Sequence, residues 1–172
     1  MRPELEREYV EYFELRMPHL RRLAMALCGD FHRADDIVQT VATTLYTGWK
    51  KARAAENIDA YVRRAVINTF LSERRLRWAR VILTAHLPDR AAVAEQPADE
   101  RVVVRAALRR LPPRQQAVLV LRFLCDLPVA EVADLLGCAE GTVKSQTSDG
   151  LKALRGLLGT GALNLEGVPN RR

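Results

Sequence analysis

Cysteine is scarce in this chain: Cys28, Cys125 and Cys138 are the only three among 172 residues, and no two of them stand in a C-x-x-C spacing. That excludes a disulfide scaffold and fits a reduced compartment in which thiols pack as small apolar groups. Redox sensing by Cys125 and Cys138, which share one half of the chain, is the alternative their chemistry leaves open. Histidine is equally sparse, and His19, His32 and His86 belong to no H-E-x-x-H or Ser-His-Asp pattern, while no glycine loop of the phosphate-cradling kind occurs. Asp35 and Asp36 are adjacent, so on a helix they point about 100° apart and do not converge as an acid-base or metal dyad. No stretch approaches the ~20 apolar residues of a membrane span. The opening "MRPELEREYVEYF" carries four glutamates instead of a signal peptide's apolar core. These absences predict a cytoplasmic protein that is not an enzyme and needs neither cofactor nor metal.

What is present is apolar and basic. Hydrophobic residues make up 48%, enough for one larger core or two small ones. Lys and Arg outnumber Asp and Glu by 27 to 21, a net charge of +6 that suits a polyanionic partner. Sustained alternation is nearly absent and Ala, Leu, Arg and Glu dominate, so the fold class is all-α.

In the first half, Leu5, Tyr9, Tyr12, Phe13, Leu20, Leu23, Ala24 and Leu27 recur at three- and four-residue steps up to Gly29, with Pro18 inside. This predicts a kinked or broken first helix. A second is expected over about residues 33–51, with Ile37, Val38, Val41, Leu45 and Trp49 turned inward. A third is expected to start after Asp59 as its N-cap, with Val62, Ala65, Val66, Thr69 and Phe70 on one stripe. From Val81 to Asp99 the periodicity dissolves, and this segment reads as a linker. Four more helices are expected, over about residues 100–111, 113–124, 128–136 and 140–158, with Pro112-Pro113 and Pro128 marking starts. Residues 159–172 read as a frayed tail.

The segment "PVAEVADLLGCAEGTVKSQTSDGLKALRGLL" has helix-turn-helix spacing. Val129, Val132, Ala133 and Leu136 form the inner face of a short helix, Gly137 permits the left-handed turn, and Val143 opens the next apolar stripe. Thr147, Gly150, Leu151, Leu154 and Leu158 continue that stripe, while Ser145, Ser148, Asp149 and Lys152 point away, flanked by Lys144 and Arg155. Such a face can enter a major groove; a helical pair that merely packs would more often carry Glu-Lys pairs there. Arg109, Arg110 and Arg114, just upstream, suit backbone phosphates.

"DAYVRRAVINTFLSERRLRWAR" sets Arg63, Arg64, Arg74, Arg75, Arg77 and Arg80 beside Tyr61, Phe70 and Trp78, with Glu73 the one acid after Asp59. Basic charge follows a phosphate backbone and aromatic faces stack on unpaired bases, a single-strand binding pattern; the alternative is that Tyr61 and Phe70 are core residues and the arginines a solvated face.

In this order, the "DDIVQ" helix, the "YVRRAVINTF" helix, the linker and "LPPRQQAVLVLRFLCDLPVAEVADLLGCAEGTVKS" resemble a bacterial RNA polymerase sigma factor of the sigma-70 family. The likeness covers about residues 8–158 and is narrowest to the extracytoplasmic-function (ECF) class, which keeps only the sigma-2 and sigma-4 domains; "AYVRR" and "TVKSQTS" are similar to its SigE-like branch. The resemblance implies two small helical domains, sigma-2-like over residues 1–80 and sigma-4-like over residues 100–158, joined by the linker. It implies docking on the polymerase β′ coiled coil through Asp35, Asp36, Gln39 and Thr40, a further contact with the β flap, promoter DNA as ligand and an anti-sigma factor as partner. Melting and holding of the −10 element would fall to Tyr61, Arg64, Asn68, Arg74, Arg75 and Arg77, with the Asn68 amide facing a flipped base. Duplex reading of the −35 element would fall to Arg114, Thr142, Lys144, Ser145, Ser148, Asp149, Lys152 and Arg155. Thr40 stands where relatives commonly carry Glu, and Gln146 and Asp149 where they tend to carry Arg, which implies altered docking and an altered −35 code. Asp149 can accept from a cytosine amino group or pair with Lys152. The competing reading is a stand-alone helix-turn-helix regulator with an N-terminal sensor or dimerisation domain.

Overall fold

Pro3 opens the first helix, α1 (Pro3–Cys28), at a position where its missing N–H is not needed. Gly29 closes it in the left-handed region, φ 66°, with its N–H on the Met25 carbonyl at 2.8 Å. The structure, a computed structural model, describes residues 2–84 and 100–159. Of the kink or break expected at Pro18, the break does not occur: α1 runs unbroken through it. Pro18 and Glu14 are exposed, so water can solvate the carbonyl that proline leaves unpaired, while Phe13, Leu20, Ala24 and Leu27 are buried on both sides of it.

The next helix, α2 (Phe31–Arg53), starts two residues before the expected position because Asp30 caps it, its carboxylate accepting from the Arg33 amide at 2.9 Å. Ile37, Val38, Val41, Leu45 and Trp49 are buried as the periodicity requires. Trp49 packs against Tyr9, Tyr12 and Phe13, with centroids at 5.3, 5.4 and 6.4 Å. The Tyr9 hydroxyl donates to the Ala42 carbonyl at 2.9 Å.

Asp59 is not the cap of α3 (Ile58–Thr84); Asn57 is, its side-chain oxygen accepting from the Ala60 amide at 2.9 Å. Val62, Val66, Ile67 and Phe70 are fully buried, whereas Ala65 and Thr69 are half-buried. Phe70 is therefore a core residue and unavailable for stacking on bases. The helix continues to Thr84, so the segment read as linker begins helical; residues 85–99 and 160–172, His86 and the side chains of Trp78 and Arg80 lie outside the described residues.

The chain divides into two compact units, Met1–Phe70 with Asp134–Gly137, and Leu71–Ala133 with Cys138–Arg172. The second contains α4 (Glu100–Arg110), α5 (Pro113–Leu119), most of α6 (Val129–Leu136) and α7 (Glu140–Leu158). The expected helix to Leu124 ends as a π turn over Val120–Leu124, where the Cys125 amide reaches back to the Val120 carbonyl at 3.0 Å. Arg122 then donates to the Leu127 carbonyl at 2.7 Å, and Asp126 takes φ 52° to reverse the chain. Gly137 adopts φ 61° in the turn before α7, as expected of it. Among the described residues there is no strand. None of the three cysteines is in a disulfide; Cys28 is buried, and burial pushes its thiol pKa up, while Cys125 and Cys138 are half-buried.

Candidate nucleic-acid and polymerase interfaces

On α7 the apolar stripe falls inward: Val143, Gly150 and Leu154 are buried, and Thr147, Leu151 and Leu158 half-buried. Thr147 turns its hydroxyl onto the Val143 carbonyl at 2.7 Å, satisfying it within the helix. Gly150 favours close approach, since a Cβ there would stand a tight 3.2 Å from the Leu119 side chain of α5. This packing turns Lys144, Ser145, Ser148, Asp149, Lys152 and Arg155 outward, all exposed, with Thr142 half-buried at the start of the face. Ser145 donates to the Thr142 carbonyl at 3.0 Å, leaving its lone pairs outward. Among the described residues no ion pair joins Asp149 to Lys152, so the carboxylate is open to solvent. Arg114 is exposed on the first turn of α5.

On α3, Arg64 and Asn68 are exposed and Tyr61 half-buried, and Arg64 donates from Nη2 to the Asp134 carbonyl. Arg75 and Arg77 are exposed in the second unit. Arg74, in the same unit, is half-buried and donates from Nη2 to the Arg109 and Leu111 carbonyls at 2.8 and 3.1 Å. A cation at the carbonyl end of α4 also meets the negative end of its dipole, so here this guanidinium serves the protein's own backbone.

On α2, Asp36, Gln39 and Thr40 are exposed beside buried Ile37, Val38 and Val41. Asp35 is half-buried and occupied: its carboxylate accepts from Arg21 Nε at 2.9 Å and from Gln39 Nε2 at 3.0 Å. It therefore orients Gln39. Thr43 and Thr44 donate to the carbonyls of Gln39 and Thr40, and Thr47 to that of Thr44, each at 2.9 Å. Turning three hydroxyls onto their own helix leaves methyl groups to dominate the rest of this face.

The order of these faces matches two family models: sigma-70 region 2 over residues 12–80 and sigma-70 region 4 over residues 101–154. The RNA polymerase sigma-E factor of Streptomyces coelicolor is 35% identical over 150 residues, covering 86% of this chain and 84% of that protein. The chain belongs to the sigma-70 family. Its relatives lie in the ECF class: the ECF sigma factor SigM of Mycobacterium tuberculosis is 34% identical over 142 residues, covering 81% of this chain and 71% of that one. The sigma factor RpoE of Bartonella quintana, solved in complex with the anti-sigma factor NepR, has the same fold, with TM-score 0.67 and 24% identity over 88% of this chain and 96% of that one. As a sigma factor the chain is a promoter-recognition subunit and not an enzyme.

One constellation in this sigma factor escaped the sequence reading. Asp59, in the first turn of α3, accepts from Arg16 Nε at 3.0 Å and Nη2 at 2.8 Å, and from the Tyr12 hydroxyl at 2.8 Å. Burial first, then the hydrogen bond and charge of Asp59, push the Tyr12 pKa up, so the hydroxyl remains a donor. Glu8, one turn before Tyr12, pairs with Arg53 Nε at 3.1 Å. The available signal was the spacing itself: Glu8, Tyr12 and Arg16 stand four apart and make a polar line along α1. Among the described residues no cluster of three or more His, Cys, Asp or Glu could hold a metal, and no helix is long and apolar enough to cross a membrane.

Proposed function

We propose that this ECF sigma factor docks on the polymerase β′ coiled coil through Asp36, Gln39 and Thr40, with Asp35 setting the Gln39 amide. A further contact goes to the β flap. Its α3, with the connection before it, opens the −10 element, Asn68 meeting an unpaired base and Arg64, Arg75 and Arg77 holding phosphates; Tyr61 lies beside the same strand. Arg74 joins them only when released from the end of α4, and Arg64 turns to phosphate on leaving the Asp134 carbonyl. Its α7 reads the −35 duplex through Thr142, Lys144, Ser145, Ser148, Asp149 and Lys152, with Arg114 and Arg155 on the backbone. Binding energy from these contacts offsets the unpairing of the −10 region. The working division is a sigma-2 part over residues 1–80, a linker over 81–99, a sigma-4 part over 100–158 and a tail over 159–172. Cytoplasmic location and control by an anti-sigma factor belong to the same reading.

The observation that carries it is that three polar faces, on α2, α3 and α7, are exposed in the chain order that region 2 and region 4 occupy. The test is a pair of variants assayed with core polymerase. Asp36→Lys should weaken core binding about tenfold or more, as loss of a charged interface contact does, with little effect on binding to −10 single strands. Asn68→Ala should do the reverse, lowering open-complex formation at unchanged core affinity. Exchange of those two outcomes would overturn the assignment of faces.

A further inference from the structure

The connection between α2 and α3 is four residues, Ala54-Ala55-Glu56-Asn57, with no large apolar side chain to anchor it. Ala54, Glu56 and Asn57 are exposed. A surface segment of that composition is ordinarily mobile. Here α1 grips the helical residues on either side of it: Glu8 holds Arg53, the last residue of α2, and Arg16 with Tyr12 holds Asp59, the second residue of α3. The Arg16–Asp59 contact has two parallel prongs, which fix angle as well as distance, and both side chains are part-buried, with relative exposures of 39% and 32%. Asn57 completes the fastening from within, accepting from the Ala60 amide at 2.9 Å and, through its carbonyl, from the Tyr61 amide at 3.0 Å.

We propose that Arg16, Tyr12 and Asp59 are positioning residues for −10 recognition: they hold the 54–57 connection and the first turn of α3 in one conformation, so that an unpaired base meets a preformed surface. This rests on the reading of α3 as the −10 site. The clamp acts on the DNA through Tyr61 and Asn68, which lie two and nine residues beyond Asp59 on α3. Preorganisation of this kind sharpens discrimination between bases, because a loose connection adapts to the wrong base as readily as to the right one. A second effect of the pairing has to be separated from the first. Arg16 also neutralises Asp59, a carboxylate that would otherwise repel a nearby phosphate. The two effects diverge when both partners are removed: neutralisation is then no longer needed, whereas positioning is still lost.

The experiment uses the full chain with core polymerase on promoter fragments bearing every single-base replacement in the −10 and −35 elements, with permanganate reactivity of unpaired thymines as the readout of opening. Arg16→Ala should lower opening on the preferred −10 sequence about fivefold and compress the preference for the best base over its nearest competitor by a similar factor, the scale of one ordinary net hydrogen bond. The penalties for −35 replacements and the affinity for core polymerase should stay within about twofold, because these residues lie outside the other two faces. Tyr12→Phe, which removes one hydroxyl and leaves the ion pair, should move the same quantity in the same direction by less. The double variant Arg16→Ala with Asp59→Asn should remain as impaired as Arg16→Ala alone. Recovery of the double variant to wild-type preference would assign the pair to charge neutralisation, and a uniform loss across all −10 sequences would assign it to general stability; either overturns the proposal, as does unchanged opening by Arg16→Ala. Failure of the wild-type chain to open any fragment is a separate result, which would remove the −10 reading itself.

Discussion

Arg16 and Asp59, 43 positions apart, meet through Nε–Oδ1 at 3.0 Å and Nη2–Oδ2 at 2.8 Å, and the Tyr12 hydroxyl shares the first carboxylate oxygen at 2.8 Å. Three donors on one half-buried carboxylate tie α1 to the start of α3. Tyr12→Phe keeps the ring contacts with Phe13 and Trp49 and deletes one hydrogen bond to a charged acceptor. Stability should fall by about 1 kcal/mol, with an unchanged slope in urea denaturation. An unaltered midpoint would mean that solvent replaces the hydroxyl without loss.

Pro18 sits inside an unbroken helix on its exposed side. Pro18→Ala supplies an N–H to the Glu14 carbonyl and relieves the ring's clash with the preceding turn, so the chain should gain about 1–3 kcal/mol in urea denaturation. A loss of stability there would indicate that α1 is shaped by the proline and that the buried residues beside it are fitted to that shape.

Gly150 lets α7 lie close to α5. A Cβ at that position meets Leu119 Cγ and Cδ1 at 3.2 Å and Gln115 Cβ at 3.4 Å, and Leu119 is buried with little room to yield. Gly150→Val should destabilise by about 2–3 kcal/mol through overpacking. Gly150→Ala should fall within about 1 kcal/mol of wild type, since the gain in helix propensity offsets a milder clash. The same denaturation experiment, followed by a −35 duplex binding assay, checks both; tolerance of valine would mean that α5 and α7 are spaced more widely than these distances.

The expectations from sequence succeeded where a periodic apolar stripe decides the outcome. Ile37, Val38, Val41, Leu45 and Trp49 on α2, and Val143, Gly150 and Leu154 on α7, are buried because burying that stripe is the main stabilising term, and the exposed faces follow by exclusion. Gly29 and Gly137 ended or turned their segments for an equally local reason, a positive φ. What went unread depends on partners distant in sequence. Asp59 looked like a cap by local rules, but a neighbouring Asn57 took that role and left the carboxylate to Arg16 and Tyr12. Phe70 could have served stacking or packing, and only tertiary burial distinguishes them. The π turn at Val120–Leu124 gave no compositional sign, because its residues are ordinary helix formers.

Asp149 lies exposed among Lys144, Ser145, Ser148 and Lys152, with no ion pair to Lys152 among the described residues. An idle carboxylate on a face meant for DNA costs affinity through phosphate repulsion. Asp149→Arg should therefore raise −35 duplex affinity in the holoenzyme, steepen its salt dependence by about one to two charges, and change which base is preferred opposite that position. Binding of the variant across a −35 library at two salt concentrations checks this. Higher affinity with an unchanged base preference would limit Asp149 to a brake on binding, and neither change would place it off the DNA.

The most direct measurement is transcription reconstituted from purified core RNA polymerase and this chain on a library of promoter fragments, with start sites read from the transcripts. The expected result is initiation at a defined subset of fragments sharing a −35 and a −10 element, absent with core polymerase alone. A folded chain that yields no transcript above core on any fragment, yet binds duplex DNA tightly without polymerase at physiological salt, would contradict promoter recognition as a polymerase subunit and favour a stand-alone regulator.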